Sequence, residues 1–494
     1  MAVFNNALAG AAGSGAPAHT LEKSVRFNAD DSAKLSRTPS SAGSQQKFTL
    51  STWVKRSRGG DASNPAEMLL AIDAYFGIYF YDDKIYVDLY PADLSSWFVE
   101  TIPDAVFRDN SAWYHIVISV DSTAGSTNDD RIKIWVNGVL QTVTYVNAGG
   151  GSLITGDIAR INTAVTHYIG MRGTQYPSTF YLAEYYWIDG EAKLPTDFAR
   201  YGSGNVWVPK AYDGNFGTNG FHLFDFENEL EIGADSSGNN NDFTPTNLIA
   251  LTTSGSYAAN VYTSATSTYD GTATSTNFSY STVPSNGFDG NLNTWIYSSN
   301  IGEGWVYFRP SGGISGVTKL RVYSDYVGDI YVNGSSATRT SGSGNQWYEI
   351  TSPPSTITEV AVQGSNNAVG RFSAIEINNA ILIEGISAET DVMVDVPTNG
   401  DSSDDTGLGG QLAGNYATLS PLHMHPHNTL GNGNLTITGV SQQYATCLPA
   451  SMALPSSGKF YCEFTNTGGS TPIEYGIGID DSGRQAFNTA TSAL

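Results

Sequence analysis

The feature that most restricts this chain is alternation with a period of two. Residues 114–120 read YHIVISV, which puts Ile116, Ile118 and Val120 on one face. Residues 131–136 read RIKIWV, with Ile132, Ile134 and Val136 on one face and Lys133 and Trp135 on the other. Such alternation marks half-buried strands. Asn137-Gly138, Asp189-Gly190, Asp213-Gly214 and Asn333-Gly334 punctuate the pattern, and these dipeptides tolerate the positive φ that tight hairpins need. Long helical patterns are absent; the segment AETDVM at 388–393 is too short. Many short strands with regular turn signals predict an all-β chain built from several β-sandwich (jelly-roll) domains in tandem.

Composition narrows the function. At 494 residues the chain has room for roughly three to four domains. Only 14% of its residues are charged, and 47 acidic against 24 basic side chains give a formal charge of −23. Nucleic-acid binding needs concentrated basic surface, which this sequence lacks. No apolar run reaches the roughly 18–20 residues of a membrane helix. The opening MAVFNNALAGAAGSGAPAHT has neither a basic n-region nor an apolar h-region, so no secretory signal is expected. Cys447 and Cys462 make no disulfide framework and read as two buried thiols, with a single bridge between them as the alternative. Composition shifts divide the chain into a Gly/Ala-rich anchor at 1–20, a strand-rich block at 21–240 and a second at 251–387. An acidic, Gly-rich linker follows at 388–428 and a last block at 429–494.

Three blocks resemble known sandwich families. FTLSTWVKR (48–56), AWYHIVISVD (112–121), RIKIWVNGVLQ (131–141), HYIGMRG (167–173) and FYLAEYYWIDG (180–190) follow the order seen in laminin-G-like jelly rolls of the concanavalin A-like lectin/glucanase type. DSSGNNNDF (235–243) is similar to that family's Asp-x-Ser-Gly-Asn-x-Asn turn, here placed after the other strands. The resemblance implies a lectin-like fold and raises the question of catalysis. Retaining glucanases of this fold carry Glu-x-Asp-x-x-Glu on one strand, so that alternation aims all three carboxylates into the cleft. The nearest stretch here, Glu184, Asp189 and Glu191, has the wrong spacing, and no enzymatic activity is expected. Such sandwiches also bind calcium through oxygen ligands. Asp121, Asn128, Asp129 and Asp130 are the candidate ligands, against the reading of a solvated loop.

The second block resembles discoidin-like or carbohydrate-binding-module-like sandwiches through NGFDGNLNTWIY (286–297), VTKLRVYSD (317–325), DIYVNG (329–334), ITEVAVQG (357–364) and GRFSAIEINNAIL (370–382). Aromatic rings stack on sugar faces, which makes Trp295, Tyr297, Trp305, Tyr323 and Tyr326 candidate glycan-binding residues; the competing reading of Trp295 is core. The third block, with LGNGNLTITG (430–439), PSSGKFYCEFTNT (455–467) and YGIGIDD (475–481), resembles the start of a SPRY-type sandwich, which in that family continues beyond the 494 residues given. This order of blocks, together with the opening MAVFNNALAGAAG and SVRFNADDSAKLSRTPSSAG (24–43), resembles virion structural proteins of bacteriophages, marine cyanophages especially.

That resemblance implies a virion surface appendage of tail-fibre type presenting lectin-like sandwiches to host-surface glycan. Its expected partners are other virion proteins, docked through residues 1–20, and further copies of itself, with a trimer as the first choice. The alternatives are a capsid-surface or tail-knob protein with purely architectural sandwiches, and a glycan depolymerase. No nucleic acid, membrane insertion or cofactor is expected, with metal as the exception to weigh. His423, His425 and His427 alternate, so an extended strand would aim them one way towards a transition metal; Pro426 favours a solvated loop instead.

Overall fold

The computed structural model describes residue 19, residue 21 and most of 23–452; the larger stretches outside it are 59–65, 92–97, 149–159, 225–231, 398–413 and 440–449. The described residues are almost entirely β-structure, in two compact units: the first comprises 1–229, 233–246 and 393–494, the second 230–232 and 247–392. No described helix is long and apolar enough to cross a membrane.

The first unit runs β1 (Ser24–Phe27), β2 (Lys34–Arg37), β3 (Lys47–Arg56), β4 (Glu67–Ile72), β5 (Tyr75–Tyr81), β6 (Lys84–Leu89), β7 (Phe98–Pro103) and β8 (Trp113–Asp121). A one-turn helix α1 (Asn128–Arg131) leads into β9 (Ile132–Val136), β10 (Val139–Leu140), β11 (Val143–Ala148), β12 (His167–Ile169) and β13 (Phe180–Asp189). The short strands β14 (Ala199–Tyr201), β15 (Trp207–Pro209), β16 (Phe221–Leu223) and β17 (Thr244–Thr246) follow. One sheet has the order β10-β9-β8-β3-β13-β1, with β16 also on β13; the other has the order β11-β7-β6-β5-β4-β12-β2-β17. Leu50, Ile116, Ile118, Ile134 and Leu182 of the first sheet and Ile78, Phe80, Ile85, Val87 and Val99 of the second are buried, as a two-layer sandwich requires.

The alternation in β8 and β9 is real, but the expected half-burial is not what the structure shows. Trp135, on the face expected to be open, packs with Val117, Tyr186, Ile188 and Phe198. Trp53, Trp113, Tyr181 and Ala183 pack on Ala199 and Val396. Chain from 198–216 and from 393–396 therefore covers the outside of this sheet, and every residue of β13 is buried. A strand covered on both faces no longer separates its apolar and polar sides.

Two of the four turn dipeptides close hairpins. Asn137 (φ 50°) and Gly138 (φ 77°) join β9 to β10. Gly190 is also at positive φ (93°), but there the chain leaves the sheet: the Asp189 carboxylate accepts from Ser44 N, Asn162 Nδ2 and Asn219 N at 2.6–2.9 Å and pins three loops at the strand end. Asp213-Gly214 closes no hairpin. In the 235–243 turn, Asp235 accepts from His222 N, Ser237 N and Asn241 N, which returns the chain to pair β17 with β2.

From residue 393 on, described residues of the segment expected to be a linker (388–428) belong to the first unit. Lys55 is 1% exposed and its Nζ lies 2.7 Å from Asp395 Oδ2, 3.0 Å from Asn415 Oδ1 and 2.5 Å from Tyr416 O. Trp113 Nε1 donates to Asp395 Oδ1 at 3.0 Å. Of the last block, a hairpin of Asn428–Gly431 with Thr436–Gly439 is described, and Tyr181 OH donates to Gly433 O at 2.8 Å. Most of 440–494 lies outside the described residues, Cys447 and Cys462 included, as does nearly all of the expected 1–20 anchor.

The second unit begins with β18 (Leu251–Gly255) and β19 (Val261–Ser264) and continues through β20 (Ile296–Tyr297), β21 (Trp305–Phe308), β22 (Ile314–Ser315), β23 (Leu320–Ser324), β24 (Val327–Val332) and β25 (Ser335–Ser336). It ends with β26 (Gln346–Glu349), β27 (Thr356–Ile357), β28 (Val360–Gly364), β29 (Arg371–Phe372), β30 (Ala374–Ile377) and β31 (Ala380–Glu384). Asn333 (φ 50°) and Gly334 (φ 80°) close the β24–β25 hairpin. Two five-stranded sheets, β18-β31-β30-β23-β26 and β19-β21-β28-β24-β25, enclose Val306, Phe308, Leu320, Val322, Ile330, Val362 and Ile375.

Candidate functional site

In β23 the residues Leu320 and Val322 fill the core, so period two sends Arg321 and Tyr323 to the outer face of the sheet. Trp347 of β26 pairs with Tyr323 in register, and on its other side Tyr323 faces Ala374 of β30. The small Ala374 leaves room above the sheet, and Trp295 occupies it, stacked on Tyr323 at 5.9 Å between ring centres. Trp347 meets the other side of Tyr323 edge-on at 5.3 Å.

The segment 286–297 sets the position of Trp295. Phe288 and Ile296 are buried in the core. Thr294 Oγ1 donates to both Asp289 carboxylate oxygens at 2.7 and 2.9 Å, and Asn286 Nδ2 donates to Trp295 O at 3.2 Å. With Ile296 inward and paired to Phe372, its neighbours Trp295 and Tyr297 turn the other way. Arg371 then lies 5.6 Å from the Trp295 ring centre and 5.2 Å from that of Tyr297, held by a bidentate pair with Asp325. Arg321 repeats the arrangement: its guanidinium sits 5.2 Å from the Trp347 ring centre and pairs twice with Glu376 at 2.7 Å.

The face is therefore a row of flat groups, Tyr297, Arg371, Trp295, Tyr323, Trp347 and Arg321, each locked by a neighbour. Trp295, Tyr297 and Trp347 are half-buried, so part of each ring is open to a ligand. Planar rings fixed in advance stack on apolar faces such as those of pyranose rings at little ordering cost.

Of the five residues expected to bind glycan, three meet here. Tyr323 is 7% exposed and supports the two indoles instead of offering a face of its own. Trp305 is not at this site. It lies on the opposite sheet, 2% exposed, packed with Ala273, Tyr307 and Ala361 under Tyr269, so its ring is core. Tyr326 lies outside the described residues. Trp347 and Arg371 were missed; the signal for Trp347 was alternation in QWYEI (346–350), where Tyr348 and Ile350 point to the core.

The acidic loop of the first unit uses its oxygens internally. Asp121 accepts from Thr123 N at 2.9 Å and pairs with Lys47 at 3.0 Å. Burial opposes its charge, but these bonds hold its carboxyl below the usual range. Asp130 accepts from Ser126 N and Thr127 N, each at 2.9 Å, and closes a capping box on α1 with Thr127. Asp129 accepts from Tyr145 OH at 2.8 Å, and Asn128 opens the helix. No group of three or more metal-ligating side chains occurs among the described residues. The side chain of His423, and His425 and His427 altogether, lie outside them.

The three carboxylates compared with the glucanase motif face different surroundings. Glu184 is buried, at φ 50°, where the β13–β3 register shifts and β13 changes partner from β1 to β16. It takes His19 Nε2 at 3.1 Å, His222 Nε2 at 3.5 Å and a short bond from Tyr186 OH. Burial works against its charge, yet the two histidines hold the carboxyl down to about 2. Asp189 pins the loops described above, and Glu191 pairs with Lys193 at the surface. A buried Ser51–His115 contact, 2.9 Å from Oγ to Nε2, is not a base activating a nucleophile. Trp207 Nε1 can only donate, and it donates to His115 Nδ1 at 3.0 Å. The ring proton is thus on Nε2 and points at the serine; burial pushes this imidazole down to about 3.

No family model matches the sequence, and no curated protein does. Among solved structures, the chain is similar to a native heptameric SAP-like pentraxin from Limulus polyphemus, at 13% identity over 35% of this chain and 77% of that one, with a TM-score of 0.25. Domains LG4-5 of the mouse laminin alpha1 chain align at 9% identity over 77% of this chain and 97% of theirs, with a TM-score of 0.23. The binding domain of botulinum neurotoxin serotype D aligns at 8% identity over 69% and 70%, with a TM-score of 0.25.

Proposed function

We propose that this chain is a glycan-attachment protein of a bacteriophage surface, carrying its sugar site on the Trp295–Tyr323–Trp347 face. The observation that carries the glycan part is the pair of half-open indoles on either side of a buried tyrosine, with arginines held flat beside them. The virion part rests on the order of sequence blocks and on the resemblance of residues 1–13 and 24–43 to phage structural proteins. On this reading residues 1–20 dock on other virion proteins, the chain forms a closed homo-oligomer such as a trimer, and neither enzymatic activity nor a cofactor is involved. Single sites of this shallow kind bind weakly, and copy number supplies avidity.

The rival is a purely architectural sandwich. It is favoured by the opposite sheet, where Trp305, Tyr307 and Tyr331 pack beneath the chain's own Tyr269. Glycan arrays probed with the full chain, displayed multivalently, separate the two. Trp347→Ala is expected to lose about tenfold in apparent affinity, equivalent to ~1.4 kcal/mol, while still unfolding in a cooperative melt well above the assay temperature. Wild-type protein silent on every glycan would remove the attachment reading, and absence of the chain from purified particles by mass spectrometry would remove the virion reading.

A further inference from the structure

The outer face of the second sheet of the first unit carries two carboxylates that the fold does not neutralise. In β6, Ile85 and Val87 point to the core, so Tyr86 and Asp88 point out. Asp88 pairs in register with Glu100 of β7, which puts two acids directly opposite each other on one face. Like charges in that relation destabilise a sheet. Asp88 is nevertheless only 2% exposed. Its Oδ2 takes a bond from Tyr79 OH at 3.2 Å, while its Oδ1 is buried without a hydrogen-bond partner. No lysine, arginine or histidine among the described residues pairs with either acid.

Tyrosines surround the pair. Tyr79 and Tyr86 stack at 5.2 Å, Tyr81 meets Tyr86 edge-on at 5.8 Å, and Tyr90 leans on Tyr75 at 5.1 Å. Burial and the two carboxylates push the phenols of Tyr79, Tyr86 and Tyr90 up. Around the acids, β5 thus contributes Tyr79, β6 contributes Tyr86, the residue after β6 is Tyr90, and β7 contributes Glu100. Arg172 acts on Tyr90 and Asp82 on Tyr86. Val146 of β11, opposite Glu100, and Met68 of β4, opposite Tyr79, carry no charge.

We propose that Asp88 and Glu100, walled by Tyr79, Tyr86 and Tyr90, form a binding site for an amino sugar, with its ammonium between the carboxylates and its ring against the tyrosines. An ammonium has three N–H donors and no acceptor, so it can satisfy Asp88 Oδ1 and offset the like-charge pair together. Its attraction to ring faces adds to this. A neutral sugar can hydrogen-bond the oxygen but brings no charge to hold both carboxylates ionised. A calcium ion asks for six to eight oxygens, and the site offers two carboxylates. The site is separate from the Trp295–Trp347 face and does not depend on that face binding anything.

Burial and Glu100 push the Asp88 carboxyl up to about 8, so at neutral pH the free protein holds a proton there. Docking of the ammonium transfers that proton from the carboxyl to solvent. Affinity is then expected to rise roughly tenfold per pH unit from pH 6 towards 8, until the ligand's amine loses its own proton.

The test is calorimetric titration of the full chain with a de-N-acetylated glucosamine tetramer in physiological salt at pH 6, 7 and 8, in buffers of differing ionisation enthalpy. The N-acetylated tetramer, ethylammonium chloride and calcium chloride are the comparison ligands. Expected results are binding by the amine tetramer, release of close to one proton at pH 6, and at least tenfold weaker binding by each comparison ligand. Asp88→Asn should lower affinity at least tenfold and flatten the pH dependence. Asp88→Asn removes a buried charge conflict and is expected to melt no lower than wild type. Should it fail to fold, Glu100→Gln at the more open rim makes the same test. Equal binding of the acetylated tetramer or of ethylammonium, binding of calcium alone, no binding by the amine tetramer, or unchanged binding by the folded variants would each overturn the proposal.

Discussion

Asp395→Asn should destabilise the first unit far more than its place in a Gly-rich, acidic stretch suggests. Lys55 Nζ is buried and has three acceptors, of which only Asp395 is charged. Burial pushes Lys55 down and Asp395 up, each opposed by the other's charge. Both groups are thus driven towards their neutral forms, and the pair itself adds little net stability. Removing one member is a different matter, because it leaves an uncompensated buried ion at a cost of ~3–5 kcal/mol. Asn415 Oδ1 and Tyr416 O still solvate the ammonium, and an Asn can keep accepting from Trp113 Nε1, so the lower end, ~3 kcal/mol, is expected. With a urea dependence of ~3 kcal/mol/M, the unfolding midpoint of the full chain drops by about 1 M. The double variant Lys55→Met/Asp395→Leu, which removes both charges, should return to within ~1 kcal/mol of wild type or exceed it. A midpoint for Asp395→Asn equal to wild type, or a double variant as weak as the sum of its singles, would refute the claim that this segment is locked into the sandwich by a buried charge.

Three further outcomes follow from the same contacts. Trp305→Ala should cost the second unit ~3–5 kcal/mol as a core truncation and change glycan binding only through unfolding, which thermal melts and arrays read side by side. Glu184 is held down to about 2 against an ordinary 4.5, which at about 1.4 kcal/mol per unit amounts to roughly 3 kcal/mol. A depressed carboxylate contributes above its unfolded value and loses that contribution as pH falls through its folded one. Urea midpoints should therefore decline from pH 4.5 towards 2 in wild type and more gently in Glu184→Gln; parallel curves would sink the assignment. Millimolar calcium should leave the melting temperature unchanged, since Asp121, Asp129 and Asp130 already serve Thr123, Lys47, Tyr145, Ser126 and Thr127; an upward shift would show a bound ion by linkage.

What the sequence made legible was local. The all-β class and the β9–β10 and β24–β25 hairpins at Asn-Gly each depend on neighbours a few residues apart. What it hid was set by distant chain. Trp135 alternates as a solvent-side residue should, and only the return of Phe198 and its surroundings to the sheet makes it core. Lys55, also an outward position by alternation, is buried because Asp395, 340 residues later, comes back to meet it. Trp305 and Trp295 have equal claims by composition, and their fates divide because Tyr269 covers one while the other lies above Ala374.

The same reasoning explains why the carboxylate pair escaped notice. Asp88 and Glu100 belong to different strands, so their meeting depends on the register across the connection between β6 and β7. A slip of one residue would put Glu100 on the core face, where a lone carboxylate costs several kcal/mol. The buried Val99 and Thr101 on either side of it hold the register that prevents this. The outward position of Glu100 is thus fixed by its buried neighbours, but the choice of an acid there, opposite another acid and among tyrosines, is not. Packing would be served as well by a threonine or a lysine, the latter with a gain in charge balance. An arrangement that the fold tolerates and does not need is best explained by a ligand that does need it, and the ammonium titration tests that explanation directly.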